Sequence, residues 1–209
     1  AYALDAALFK DELMTWDTSD PDVQQIRSIP PQLVGGELYD LGVDVQARNL
    51  VFYNEDLFAA AGVSEFPTTW TDFDATLRQL KDSGTVPLCM AGEWVTGRIF
   101  MGLNDIFTMD AEWNSKRTNN EVKFSDPNWV EAVERFQTYA KDGYFGDGAL
   151  GTTYAQVEQN FLQGKCAMYQ MGNWFTGSAA ATPPTFDVGV AVPPSADGKV
   201  RIAGALGGA

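Results

Sequence analysis

The stretch Phe161-Leu-Gln-Gly-Lys-Cys-Ala-Met-Tyr-Gln-Met-Gly-Asn-Trp-Phe175 joins a helix end, a buried strand and a post-strand turn. Gly164 stands where a helix terminus needs a residue free to take positive φ. Cys166 to Met171 is then an uncharged run of strand length. Gly172 ends the strand, and its freedom is read as swinging the next aromatic outward. Asn173, Trp174 and Phe175 follow, so an indole and a primary amide lie just past the carboxyl end of a strand, where open α/β sheets hold ligands. Composition alone favours a core role for Trp174, and a ligand-stacking ring is the competing reading.

Working outward, the same apolar strand signal recurs at 50–52, 86–90 and 186–192. Helical patterns separate these runs, which predicts an α/β fold with one parallel-rich sheet. Asn54 is placed to cap a helix that Gly62 ends, and Thr69-x-x-Asp72 resembles a capping box with a shortened acid. Phe73, Leu77 and Leu80 mark the buried stripe of the helix that follows, which stops at Gly84. Leu4, Leu8, Phe9, Leu13 and Trp16 predict an N-terminal helix over 1–16, and a short helix is expected over 22–29. Asp126-Pro127 opens another helix, with Trp129, Val133, Phe136 and Ala140 as its buried face. Thr152 or Thr153 starts the next, with Tyr154, Val157 and Phe161 inward. Trp113 reads as part of a polar surface excursion over 110–123.

The chain has 209 residues, enough for one large or two small domains. With 45% hydrophobic residues it is globular in composition, and its formal charge of −14 disfavours nucleic acid and anionic membrane as partners. Histidine is absent, which removes the commonest general base and most zinc sites. No metal or cofactor site is predicted. Cys89 and Cys166 sit in apolar strand runs and read as two buried, reduced thiols, with a single bridge as the alternative. No run reaches the length of a membrane-spanning helix and no signal peptide opens the chain, while both ends read as trimmed.

Three motifs taken together resemble a known family. They are Gly36-x-Leu38-Tyr39-Asp40-Leu41, then Leu50-Val-Phe-Tyr53-Asn54-x-Asp56-Leu57-Phe58-x-x-Ala61-Gly62 with Pro67-x-Thr69-Trp70-x-Asp72-Phe73, and finally Phe161-x-x-Gly164-Lys165-x-Ala167-Met168-x-x-x-Gly172-x-Trp174. In this order they are similar to the family 1 extracellular solute-binding proteins, the carbohydrate receptors of bacterial ABC importers. The resemblance implies a periplasmic-binding-protein-like fold of type II, two α/β lobes around a sugar cleft, with mostly the second lobe present. The end of the first lobe is assigned to 1–43, the second lobe to 44–195 and a truncated second crossing segment to 196–209. It further implies a monomer without cofactors, working outside the cytoplasm, in the periplasm or lipid-anchored at the cell surface. Its partners would be a carbohydrate and the membrane permease of the importer.

In that family the tryptophan of the Gly-x-Trp turn commonly stacks on a sugar, which makes Trp174 and its neighbour Asn173 ligand-binding candidates. The position after the 86–90 strand adds Glu93, Trp94 and Arg98, although Trp94 could pack under its own helix and Glu93 could serve that helix's N-terminus. Asp44, Gln46 and Arg48 alternate along the first crossing segment, where the alternative is a solvated strand edge. A glycosidase would need paired carboxylates, and no spacing here singles out a pair. A polyamine or other small cation in the same fold is the remaining alternative.

Overall fold

Residues 11–26, 33–39, 42–102, 112–199, 201 and 204–208 are described by the structure, a computed structural model. The helices are α1 (Pro21–Ile26), α2 (Glu55–Ala60), α3 (Trp70–Asp82), α4 (Glu93–Gly102), α5 (Trp113–Thr118), α6 (Pro127–Lys141), α7 (Tyr154–Leu162) and α8 (Phe175–Ala181). The strands are β1 (Gly42–Ala47), β2 (Leu50–Asn54), β3 (Val86–Leu88), β4 (Cys166–Met171), β5 (Val188–Ala191) and β6 (Gly204–Gly208). Two units result, Ala1–Ala47 with Gly204–Ala209, and Arg48–Ala203.

In the first unit β1 and β6 form an antiparallel pair. Gly35 and Gly36, with φ of 63° and 92°, carry a tight turn that Val34 and Glu37 close by mutual backbone hydrogen bonds. Most of the expected N-terminal helix, residues 1–10, lies outside the described residues. Its end is not helical: Trp16 instead donates its backbone N–H to the Leu38 carbonyl at 2.7 Å. The short helix forms as α1, and residues 27–29 of its expected span are outside the description.

The second unit is built on a four-stranded sheet in the order β3-β4-β2-β5. All four apolar runs enter this one sheet, but it is not parallel-rich. β2 runs antiparallel to both β4 and β5, and β3–β4 is the single parallel pair among the described strands. An unbroken apolar run reports burial on both faces, which is common in parallel sheets but equally met by an antiparallel strand covered on both sides. β4 is buried along its whole length, as its sequence requires. Its Tyr169 lies among Phe161 of α7 and Phe175 of α8, with ring centroids 5.8 and 5.0 Å away.

Local signals set the helix ends. Leu57 donates its N–H to Asn54 Oδ1 at 3.0 Å, and Gly62 follows α2 with φ 78°. Asp72 donates its N–H to Thr69 Oγ1, while the Thr69 hydroxyl donates to the Asp72 carboxylate at 2.7 Å. The shorter acid thus bonds the cap's hydroxyl rather than its backbone. Thr153 makes the complete capping box with Gln156 at the start of α7. Phe73, Leu77 and Leu80 are buried as expected.

Three further expectations are corrected. Cys89 and Cys166 form a disulfide, with Cα atoms 5.4 Å apart. The parallel pairing of Val86 with Cys166 and Leu88 with Met168 brings together residues separated by 77 positions, a proximity that no local pattern encodes. Trp113 is buried, stacked on Trp129 at 4.8 Å and against Phe124, so the polar segment encloses an aromatic cluster. On α6 the inner face is rotated to Ala132, Phe136 and Tyr139, and Ala140 is exposed. Tyr139 anchors that face by donating its hydroxyl to the Asp74 carboxylate.

Candidate functional site

β3 and β4 are parallel, so their carboxyl ends open on the same edge of the sheet and deliver two aromatic turns to it. After β3 the chain passes through Met90 and Ala91, both buried, to Gly92. A Cβ at Gly92 would overlap the Leu150 carbonyl, so only glycine permits this approach. Gly92 N–H donates to the Thr152 carbonyl and Glu93 Oε2 accepts from Tyr154 N–H, each at 3.0 Å. These two bonds knit the turn after β3 to the segment that starts α7. Glu93 has φ 56°, a left-handed conformation that costs a non-glycine residue on the order of 1 kcal/mol.

Trp94 is 46% exposed. Its ring lies 4.9 Å from that of Tyr154 and 6.5 Å from that of Trp174. Trp174 is half-buried, directly before α8. The role assigned to Gly172 needs correction: its φ is not positive, and the indole folds back over it, where a Cβ would overlap the ring. Gly172 is there for close approach, not for an outward swing. Asn173 is half-buried in the same turn, and its carbonyl accepts from the Thr176 hydroxyl at 2.7 Å.

Tyr154 is the residue that sequence reasoning placed in the core; it is half-buried and joins both tryptophans. Its hydroxyl donates to Glu158 Oε2 at 3.2 Å. Burial raises the pKa of that hydroxyl and Glu158 adds to the shift, while a hydrogen bond from the Trp174 indole works against both. Tyr169, behind the wall, is pushed up chiefly by burial, with Tyr154 and Glu158 contributing. The edge therefore carries three rings, one primary amide and two carboxylates. Such a surface can stack on flat apolar faces and hydrogen-bond hydroxyl groups.

Glu93, Trp94, Asn173 and Trp174 are thus brought to one edge of the sheet. Arg98 lies in α4, its side chain outside the described residues, and the Asp44 side chain in β1 is likewise outside them. Gln46 and Arg48 are half-buried and make contacts of their own. Gln46 belongs to the first unit and Arg48 opens the second.

Among known proteins, the sn-glycerol-3-phosphate-binding periplasmic protein UgpB of Rhizobium meliloti is 28% identical over 145 residues, 67% of this chain and 33% of that protein. The solved structure of RafE in complex with raffinose superposes with a TM-score of 0.74 at 20% identity, over 92% of this chain and 52% of that one. A chitin oligosaccharide binding protein gives a TM-score of 0.70 at 22% identity, over 96% and 51%. This chain therefore spans about a third of the first relative and about half of each structure. The structures share its type II solute-binding fold, which fits a partial two-lobed architecture. The family described as bacterial extracellular solute-binding protein matches residues 5–209, and the chain belongs to it.

Proposed function

We propose that this chain is the sugar-capturing part of an extracytoplasmic substrate-binding protein that serves an ABC importer. The observation that carries the reading is the wall of Trp94, Tyr154 and Trp174 at the shared carboxyl edge of β3 and β4. Indole and phenol faces give a pyranose a flat apolar surface, and the Asn173 amide nitrogen beside them is a hydrogen-bond donor. The names of the related structures, which mention raffinose and chitin oligosaccharide, support a glycan over a polyamine. Binding of this kind needs no chemistry on the ligand, so the proposal is a receptor and not an enzyme.

In this reading 44–195 is the core of one lobe and the β1–β6 pair belongs to its crossing segments. Arg48 and Arg98 would then add polar contacts to the sugar. A membrane permease is the implied partner and the receptor acts as a monomer. The Cys89–Cys166 disulfide supports a location in the periplasm or at the cell surface, since bridges persist in oxidising compartments. No helix among the described residues is long and apolar enough to cross a membrane. The test is a tryptophan-fluorescence titration with a panel of neutral oligosaccharides and, as a separate arm, spermidine. A saturable response to a glycan supports the receptor reading, and a response to spermidine alone overturns it.

A further inference from the structure

The start of α7 lies against the aromatic wall through Tyr154, its first residue. A helix N-terminus is ordinarily a place for phosphate, because unpaired backbone N–H groups and the helix dipole both favour an anion there. Here three of these donors are already taken from within the chain. Tyr154 N–H donates to the Glu93 carboxylate at 3.0 Å, Thr153 N–H to Gln156 Oε1 at 2.9 Å, and Gln156 N–H to Thr153 Oγ1 at 3.3 Å. A second carboxylate, Glu158, accepts from the Tyr154 hydroxyl at 3.2 Å. Tyr154 is therefore held between two carboxylates, and the chain supplies its own anion where a ligand phosphate would sit.

Glu93 reaches this position only by adopting φ 56° directly after Gly92, the glycine that lets the turn close on Leu150. At this exposed glutamate the left-handed backbone coincides with its carboxylate accepting from Tyr154 N–H. We infer that the wall selects uncharged glycans and rejects phosphorylated solutes, with Glu93 as the residue that enforces the rejection. This deepens the sugar-receptor reading and rests on it. It also separates this chain from the relative named for sn-glycerol 3-phosphate, whose ligand is an anion.

The experiment is a ¹⁵N NMR titration that follows the indole N–H signals of Trp94 and Trp174, identified by single Trp→Phe substitutions, in a format that detects millimolar binding. The probes are raffinose, sn-glycerol 3-phosphate and inorganic phosphate. Raffinose is expected to shift both signals, and neither phosphate probe should do so below roughly tenfold higher concentration. Glu93→Gln keeps an acceptor for Tyr154 N–H while removing the charge. It should raise the affinity for sn-glycerol 3-phosphate relative to raffinose about tenfold, and Glu93→Ala should do so at least as strongly. The α4 helix carries one basic residue, Arg98, so the wild-type phosphate arm also reads whether its charge outweighs the two carboxylates. If raffinose and sn-glycerol 3-phosphate bind equally well, or Glu93→Gln leaves their ratio unchanged, the selectivity inference fails and the receptor reading stands. If no neutral glycan shifts either indole, both fail together.

Discussion

Trp174 was readable as a candidate from its place after a strand, but the reason its ring sits there was not. Gly172 is required because the indole lies over it, and a sequence shows a glycine without showing what presses on it. The same limit hid Tyr154, whose spacing with Val157 and Phe161 fits a core stripe. Its signal was its position directly after the Thr153 cap, at a helix start where side chains face an open end. Two outcomes follow at this scale. Trp174→Ala should weaken glycan binding about tenfold, in line with roughly 1–3 kcal/mol for a buried ring face. Gly172→Ala should have a comparable effect with the tryptophan still present, because the added methyl displaces the indole. Calorimetry gives the affinities, and a changed near-ultraviolet dichroism spectrum for Gly172→Ala reports the moved ring. A Gly172→Ala protein that binds normally would show that the placement of the indole over residue 172 is unimportant.

Among the elements, helix stripes and caps were the most legible features, because α3 and the starts of α2 and α7 depend on spacing over three or four residues. Strand direction and the Cys89–Cys166 bridge were not legible, since both depend on which strands become neighbours. The bridge ties β3 to β4, the two strands whose carboxyl ends present the aromatic turns. Closing a loop with a sequence separation of 77 constrains the unfolded chain, and bridges of this kind contribute about 2–4 kcal/mol. The double variant Cys89→Ser with Cys166→Ser should therefore unfold at markedly lower denaturant. Thiol titration of the unreduced, denatured protein should count no free groups. Two free thiols would overturn the pairing, and an unchanged midpoint would remove its stabilising role.

For the molecule as a whole, two buried tyrosines set an alkaline limit. Burial and the Asp74 carboxylate raise the Tyr139 pKa, and burial raises that of Tyr169. Both phenols stay neutral in the folded chain above the pH at which they ionise in the unfolded one, near 10.0. Their contribution is therefore complete below about pH 10 and declines as pH rises beyond it. Denaturant midpoints should be flat from about pH 8 to 9.5 and fall above about 10. Phenolate absorbance should show part of the tyrosine population titrating only on unfolding. Complete titration near pH 10 in the folded state would contradict the burial of these hydroxyls.

In the proposed receptor Trp94, Tyr154 and Trp174 form a carbohydrate surface and are not simply an exposed margin of the core. Calorimetric titration with a cognate neutral oligosaccharide, run on the wild type, Trp94→Ala and Trp174→Ala together with thermal unfolding of each, tests it most directly. About tenfold or greater loss of affinity is expected in both variants, with only a small change in Tm. Unchanged affinity accompanied by a large fall in Tm for Trp174→Ala would contradict it.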